Sequence, residues 1–319
     1  MYKYSFRVIF LNKIKVFIDG REGTTGLGIF SRLRDREDID LTVLPDETRK
    51  NPEARKKAIN ESDITVLCLP DDAAKESVSF VENPDTVILD ASTAHRTADG
   101  WVYGLPELCD GQAEKIAASK KTAVPGCHAS GFISLIYPLV EARVISKDVL
   151  LTCHSVTGYS GGGKKMIAQY ESDEKEQKLS APRQYGLSQT HKHLPEMTKI
   201  TGLNHSPVFC PIVSDFYSGM LVTVPLFKSQ LENGADAETV KEVYRKKYNG
   251  KMNIEFCEDM SDGGFLDSNT LSGTDKMQIG VFGNEDRILL TARYDNLGKG
   301  ASGAAVQCLD LVINKMKNE

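Results

Sequence analysis

The 319-residue sequence predicts an α/β protein: a Rossmann-like, doubly wound parallel sheet followed by an α+β domain with a mixed or antiparallel sheet. Three observations carry this. Short β-branched runs alternate with amphipathic segments in the first third, strand follows strand with few helices in the middle, and a glycine-rich turn closes the first strand. The strands are KVFID (15–19), LTVL (41–44), ITVLCL (64–69) and TVILD (86–90), separated by helical stretches at 25–34, 52–60 and 72–81. Strands apolar on both faces need cover on both sides, which helical crossovers between parallel strands supply.

A further buried strand, KKTAVP (120–125), leads into SGFISLIYPLV (130–140), which has the apolar density of a buried helix, so Cys127 falls near a strand-to-helix junction. Beyond it come VLLTCHSVT (149–157), SPVFCPIVSD (206–215), MLVTVPLF (220–227), MNIEFC (252–257), MQIGVFG (277–283) and RILLTARY (287–294), with one clear helix at 236–248. Short connections between successive strands point to antiparallel or mixed pairing. The final stretch has small or apolar residues at 301, 304, 305, 308, 311, 312 and 316, a helical stripe expected to pack back on the first domain. Residues 1–125, completed by a C-terminal helix at 297–319, form the expected dinucleotide-binding domain, and 126–296 the catalytic and oligomerisation domain. Exposed-looking apolar strands in the latter suggest a homodimer or homotetramer, and the polar stretch 171–182 reads as a mobile, solvated surface segment.

Composition narrows the function. With 40% hydrophobic and 26% charged residues and no apolar run of membrane-spanning length, no membrane association is expected. The lead-in MYKYSFRVIFLNK is too short and too charged for a signal peptide, which points to the cytoplasm. A net charge of −5 without a sustained Lys/Arg block argues against nucleic acid. Seven cysteines without C-x-x-C or zinc-finger spacing read as reduced thiols, with no metal site. Six of them lie in or beside apolar runs, and only Cys127 occupies a glycine-rich turn open to a reactant.

Gly20, Gly23 and Gly26 form G-x-x-G-x-x-G after the first strand, where tight turning and helix N-terminal amides suit a pyrophosphate. Arg49 and Lys50, without an acidic residue ending the second strand, tilt the expected cofactor from NAD to NADP. A Cys127 nucleophile must be a thiolate, and a helix N-terminus and an imidazole are the usual means of lowering its pKa. His128 is adjacent in sequence and so points elsewhere, whereas His191 and His193, two apart, would share one face of an extended segment. Ser92 and Arg96 in DASTAHR, and Ser160 and Lys164 in GYSGGGK, look like grips for a doubly anionic small molecule.

Taken in order, GREGTTG, DASTAHR, YGLPEL, VPGCHASG, GYSGGGK, HKHLPE and DNLGKGASG resemble the N-acetyl-gamma-glutamyl-phosphate reductase family in its short, type 2 form, over about residues 15–312. The lead-in departs from that pattern, and His128 stands where the longer form usually has Tyr. The resemblance implies NADPH-dependent reduction of an acyl phosphate, N-acetyl-L-glutamyl 5-phosphate, to the semialdehyde in arginine biosynthesis. It makes Cys127 the nucleophile, His193 the acid/base and His191 a supporting residue. Ser92, Arg96, Ser160 and Lys164 would meet substrate anions, Gly20, Gly23, Thr24, Thr25 and Gly26 the cofactor, and Asn296 the nicotinamide region. An aspartate-semialdehyde dehydrogenase, a Cys-His hydrolase and a non-catalytic nucleotide-binding protein are the alternatives the residues leave open.

Overall fold

The computed structural model describes residues 13–318, so the lead-in and the expectation about a signal peptide lie almost wholly outside it. The first unit runs β1 (Ile14–Asp19), α1 (Thr24–Leu33), β2 (Ile39–Thr42), α2 (Pro52–Asn60), β3 (Ile64–Leu67), α3 (Asp71–Ser79), β4 (Val87–Asp90), β5 (Val102–Tyr103), α4 (Gln112–Ala118) and β6 (Lys121–Ala123). Its strands pair in the order β2-β1-β3-β4-β6-β5, all parallel. β3 and β4 are buried along their whole length, as expected of central strands covered on both faces.

The second unit begins with α5 (Cys127–Glu141), then β7 (Thr152–Gly158), α6 (Gly163–Tyr170), β8 (Arg183–Gln184), α7 (Leu194–Thr201), β9 (Val208–Ser214), β10 (Met220–Phe227), α8 (Ala237–Tyr248), β11 (Ile254–Phe256), β12 (Met277–Gly283) and β13 (Arg287–Tyr294). The sheet order β11-β12-β13-β10-β7-β9-β8 is mixed, with β11/β12 and β7/β9 parallel and the other pairs antiparallel. α5 and α8 contribute to the same core as the inward residues of β10, β12 and β13. On the other face, alternation places Val208, Phe227 and Leu289 in the open. The stretch 171–182 is exposed except for Leu179 and half-buried Lys175.

Helix α9 (Gly303–Asn318) closes the chain, and its Ala304, Ala305, Cys308, Leu309, Val312 and Ile313 join the core formed by β1, β3 and β4 of the first unit. A five-residue π-helical turn, Gly298–Ser302, precedes it. Within that turn Lys299 is fully buried and reaches both oxygens of Glu107, at 2.9 and 2.8 Å. YGLPEL and DNLGKGASG, nearly two hundred residues apart in the chain, are thus joined by one buried ion pair. Among the described residues, no helix is long and apolar enough to cross a membrane.

Pro138 does not end α5, which continues to Glu141. Proline lacks the N–H that would bond the carbonyl four residues back. Here the Tyr248 hydroxyl on α8 donates to the Ser134 carbonyl at 2.6 Å, and Tyr244 does the same for Leu135 at 2.6 Å. The Tyr248→Phe variant should therefore lose about 1–3 kcal/mol, the cost of a buried carbonyl without a partner. Denaturant unfolding measures it, and an unchanged midpoint would show that the carbonyl finds another donor.

Candidate active site

In the parallel sheet, β1 lies between β2 and β3, so the strand order reverses there and a crevice opens beyond the strand ends. A cavity of about 540 Å³ occupies it. Gly23, Thr24 and Thr25 after β1, Cys68 and Leu69 after β3, Ala91 after β4, and Val124 to Cys127 after β6 form one wall. Ser160, Tyr185, His191, His193 and Asn296 belong to the other. Gly20 has a φ of +90° and packs against the Cys68 carbonyl, a conformation and an approach that a side chain would obstruct.

Cys127 is the first residue of α5, half-buried and on the cavity wall. No side chain caps the helix, which leaves first-turn amides available to negative charge. Tyr294 inserts its hydroxyl into that turn, donating to the Cys127 carbonyl at 2.6 Å and accepting from the Gly131 amide at 3.1 Å. The Cys127 backbone is thereby anchored to the end of β13.

Glu196 governs the rest of the site. Its carboxylate, 1% exposed, accepts from the Gly126 amide at 2.8 Å and the Tyr103 hydroxyl at 2.6 Å, and pairs with Arg96 Nη1 at 3.1 Å. Arg96 also donates to the carbonyls of Val124, at 2.9 Å, and Ala91, at 3.2 Å. Neither Glu196 nor Tyr103 was singled out from the sequence, although both sit in quoted motifs. The available signal was Pro-Glu in a first helical turn, which favours acidic residues.

His193 is not on an extended strand as its spacing suggested; it is the N-cap residue of α7, with Pro195 in the first turn and Gly202 at the far end. Its backbone N–H donates to His191 Nδ1 at 3.2 Å, and the two rings lie 4.7 Å apart between centroids. His191 therefore holds the turn that delivers His193. His128 is separately committed, with Nδ1 at 2.7 Å from Ser155 Oγ and Nε2 at 2.7 Å from the Tyr185 hydroxyl.

The electrostatics correct a second expectation. Burial raises the Cys127 thiol above its usual pKa, and the opposing pull of Arg96 and the His128 amide does not reverse this. Burial, aided by Arg96, drives His193 well below the ordinary imidazole value. The pair is thus neutral thiol beside neutral imidazole, with His193 able to take a proton. Cys68 also lines the cavity, contrary to the reading that only Cys127 is accessible, but burial with Asp90 and Asp19 nearby pushes its thiol up to about 12.

Of the other expected residues, Arg96, Ser160, Gly23, Thr24, Thr25 and Asn296 line the cavity. Asn296 donates to Ser160 Oγ at 3.0 Å and accepts from the Gly219 amide at 2.8 Å. Four are not brought to it. The Ser92 hydroxyl donates to Asp90 at 2.8 Å, Lys164 extends toward Glu22 at 3.8 Å, and Gly26 packs on the Gly20 carbonyl beneath the turn. Gly20 itself lines an adjoining cavity with Arg49 and Lys50. Arg183, which the sequence did not single out, and Lys192, within the cationic HKHLPE stretch, are on the main cavity wall. No cluster of three His, Cys, Asp or Glu residues suited to a metal occurs among the described residues.

A glycine turn on a doubly wound sheet, facing a cysteine and a histidine carried by a second sheet domain, defines a nicotinamide-dependent dehydrogenase of the semialdehyde dehydrogenase class. Comparison with known proteins agrees: residues 15–117 match the semialdehyde dehydrogenase NAD binding domain and residues 127–296 its dimerisation domain. An N-acetyl-gamma-glutamyl-phosphate reductase 2 from Nostoc sp. is 45% identical over 95% of this chain and 98% of its own. The N-acetyl-gamma-glutamyl-phosphate reductase of Burkholderia cenocepacia is 44% identical over 93% and 96%. The chain belongs to the N-acetyl-gamma-glutamyl-phosphate reductase family. Aspartate semialdehyde dehydrogenase II from Vibrio cholerae, at 18% identity and a TM-score of 0.70 over 95% of this chain and 99% of that one, shares the fold.

Two expectations follow from the geometry. A Cβ at Gly126 would collide with Arg96 Nη1 and His193 Nε2, yet φ −80° suits alanine. Gly126→Ala should keep its circular-dichroism melt and lose about 10²–10³-fold in turnover by displacing both partners; undiminished turnover would refute the close approach. Because thiolate is the alkylated form, iodoacetamide labelling of Cys127 should have its pH midpoint above the free-thiol value of about 8.5. Arg96→Met, removing a charge that favours the thiolate, should move that midpoint higher still; a downward shift would contradict the stated electrostatics.

Proposed function

We propose that this chain reduces N-acetyl-L-glutamyl 5-phosphate to N-acetyl-L-glutamate 5-semialdehyde with NADPH, releasing phosphate, as a step of arginine biosynthesis in the cytoplasm. The observation that carries this reading is the placement of Cys127, His193 and the 23–25 turn on one cavity. The cavity suits a dinucleotide: Thr24 Oγ1 is buried without a partner among the described residues, and the first turn of α1 has no side-chain cap. A phosphate on the ribose would find Arg49 and Lys50 in the adjoining cavity beside Gly20, which supports NADP over NAD.

His193, neutral and buried, accepts the Cys127 proton as the sulfur attacks the acyl carbonyl. The carbon–oxygen bond to phosphate breaks and a thioester forms on Cys127. A bound reduced nicotinamide supplies the hydride for this thioester carbonyl. Free amides at the start of α5 stabilise the oxyanion formed at each stage, and His193 returns its proton before the thiohemiacetal collapses to aldehyde and thiol. Imidazole must be unprotonated for the first step, and its depressed pKa keeps it so below the usual value of about 6.5.

The open face of the second sheet, with Val208, Phe227 and Leu289 exposed, supports a homodimer through that face. Sedimentation should give the mass of two chains, and a monomer would remove this part of the reading.

The direct test runs the reaction backwards, as phosphate-dependent NADP reduction with N-acetylglutamate semialdehyde beside aspartate semialdehyde. Turnover is expected with the first alone, and Cys127→Ser should lower it by about 10³-fold or more. A preference for aspartate semialdehyde, or undiminished activity in Cys127→Ser, would overturn the proposal.

A further inference from the structure

Three cationic side chains line the cavity: Arg96, Arg183 and Lys192. They differ in what they already hold. Arg96 is committed through Nε, Nη1 and Nη2 to Val124, Glu196 and Ala91. Neither Arg183 nor Lys192 has a side-chain hydrogen bond or ion pair among the described residues, and both are exposed on the wall. Of the expected anion contacts, the Ser92 hydroxyl is bonded to Asp90, and Lys164 lies outside the cavity lining, 3.8 Å from Glu22. A doubly anionic ligand entering this cavity exchanges hydration for protein partners and needs uncommitted cations to do so.

Resting on the functional reading above, we propose that Lys192 receives the phosphate of the acyl phosphate and Arg183 its α-carboxylate. The two together would make these residues the determinants of substrate choice. Position separates the roles. Lys192 is carried in the turn between His191 and His193, whose rings lie 4.7 Å apart, and it lines the cavity with them and Cys127, on the side of the carbonyl under attack. The phosphate is bonded to that carbonyl. Arg183 opens β8, the edge strand of the second sheet, and lines the cavity from a different element than the turn bearing Lys192. That places it toward the other end of the acyl chain, where the carboxylate lies. Chemistry agrees with position: a planar guanidinium fork matches a carboxylate in bidentate fashion, whereas a compact ammonium suits a leaving phosphate.

The reverse reaction reads the two contacts separately. Lys192→Met should raise the KM for inorganic phosphate about ten- to hundred-fold, the range for a lost charged hydrogen bond, and leave the KM for semialdehyde within about threefold. Lys192→Arg should recover part of the loss. In the absence of cofactor, the phosphate concentration that half-protects Cys127 from iodoacetamide should rise by a similar factor in Lys192→Met. For Arg183→Met, kcat/KM for N-acetylglutamate semialdehyde should fall about ten- to hundred-fold while that for 4-acetamidobutanal, which lacks the α-carboxylate, stays constant. Both side chains are exposed, and unchanged thermal midpoints would show that the variants fold. Wild-type phosphate KM and protection in Lys192→Met, or a retained preference for the carboxylated aldehyde in Arg183→Met, overturns the assignment while the functional reading stands. A wild-type protein that turns over neither aldehyde overturns both.

Discussion

The site depends on one buried carboxylate. Glu196 reaches from α7 in the second unit to the Gly126 amide, to Arg96 beyond β4 and to Tyr103 on β5. A charge in this position is costly to dehydrate and is tolerable only with a full set of partners. Those partners come from separate segments of the first unit, so the carboxylate sets the loop entering α5 against the turn bearing His193. The close approach of Arg96 Nη1 and His193 Nε2 over Gly126 is the geometric result. Glu107 and Lys299 form a second buried ion pair, which ties the segment after β5 to the turn that precedes α9.

Burial that makes this precision possible also moves the titration of the reacting groups. It disfavours both thiolate and imidazolium, raising one pKa and lowering the other. A resting thiolate–imidazolium pair is therefore disfavoured.

Much of this was legible beforehand. Near-continuous apolar strands separated by amphipathic helices imply parallel pairing, and period-two patterns in β10 and β13 imply a sheet with one face packed. Cys127 was recognisable because glycine and proline beside a buried strand mark a junction. The helices α6 and α7 were less so, being eight residues each, too short for their periodicity to stand out. With α7 unrecognised, His191 and His193 were assigned to an extended segment, where a shared face follows from spacing. In the fold they meet through a turn and a hydrogen bond instead.

Local pattern thus determined the strands, most of the helices, the glycine turn and the strand-to-helix junction that carries Cys127, because each is encoded within a few neighbouring residues. Only the tertiary structure decided which polar groups are spent and which are free. Ser92 and Lys164 carry suitable chemistry, yet Asp90 and Glu22 engage them, while Arg183 and Lys192 face the cavity uncommitted. A side chain's availability depends on partners distant in sequence and on its depth below solvent. The same holds for the protonation of Cys127 and His193, since desolvation is a property of the assembled interior rather than of any motif.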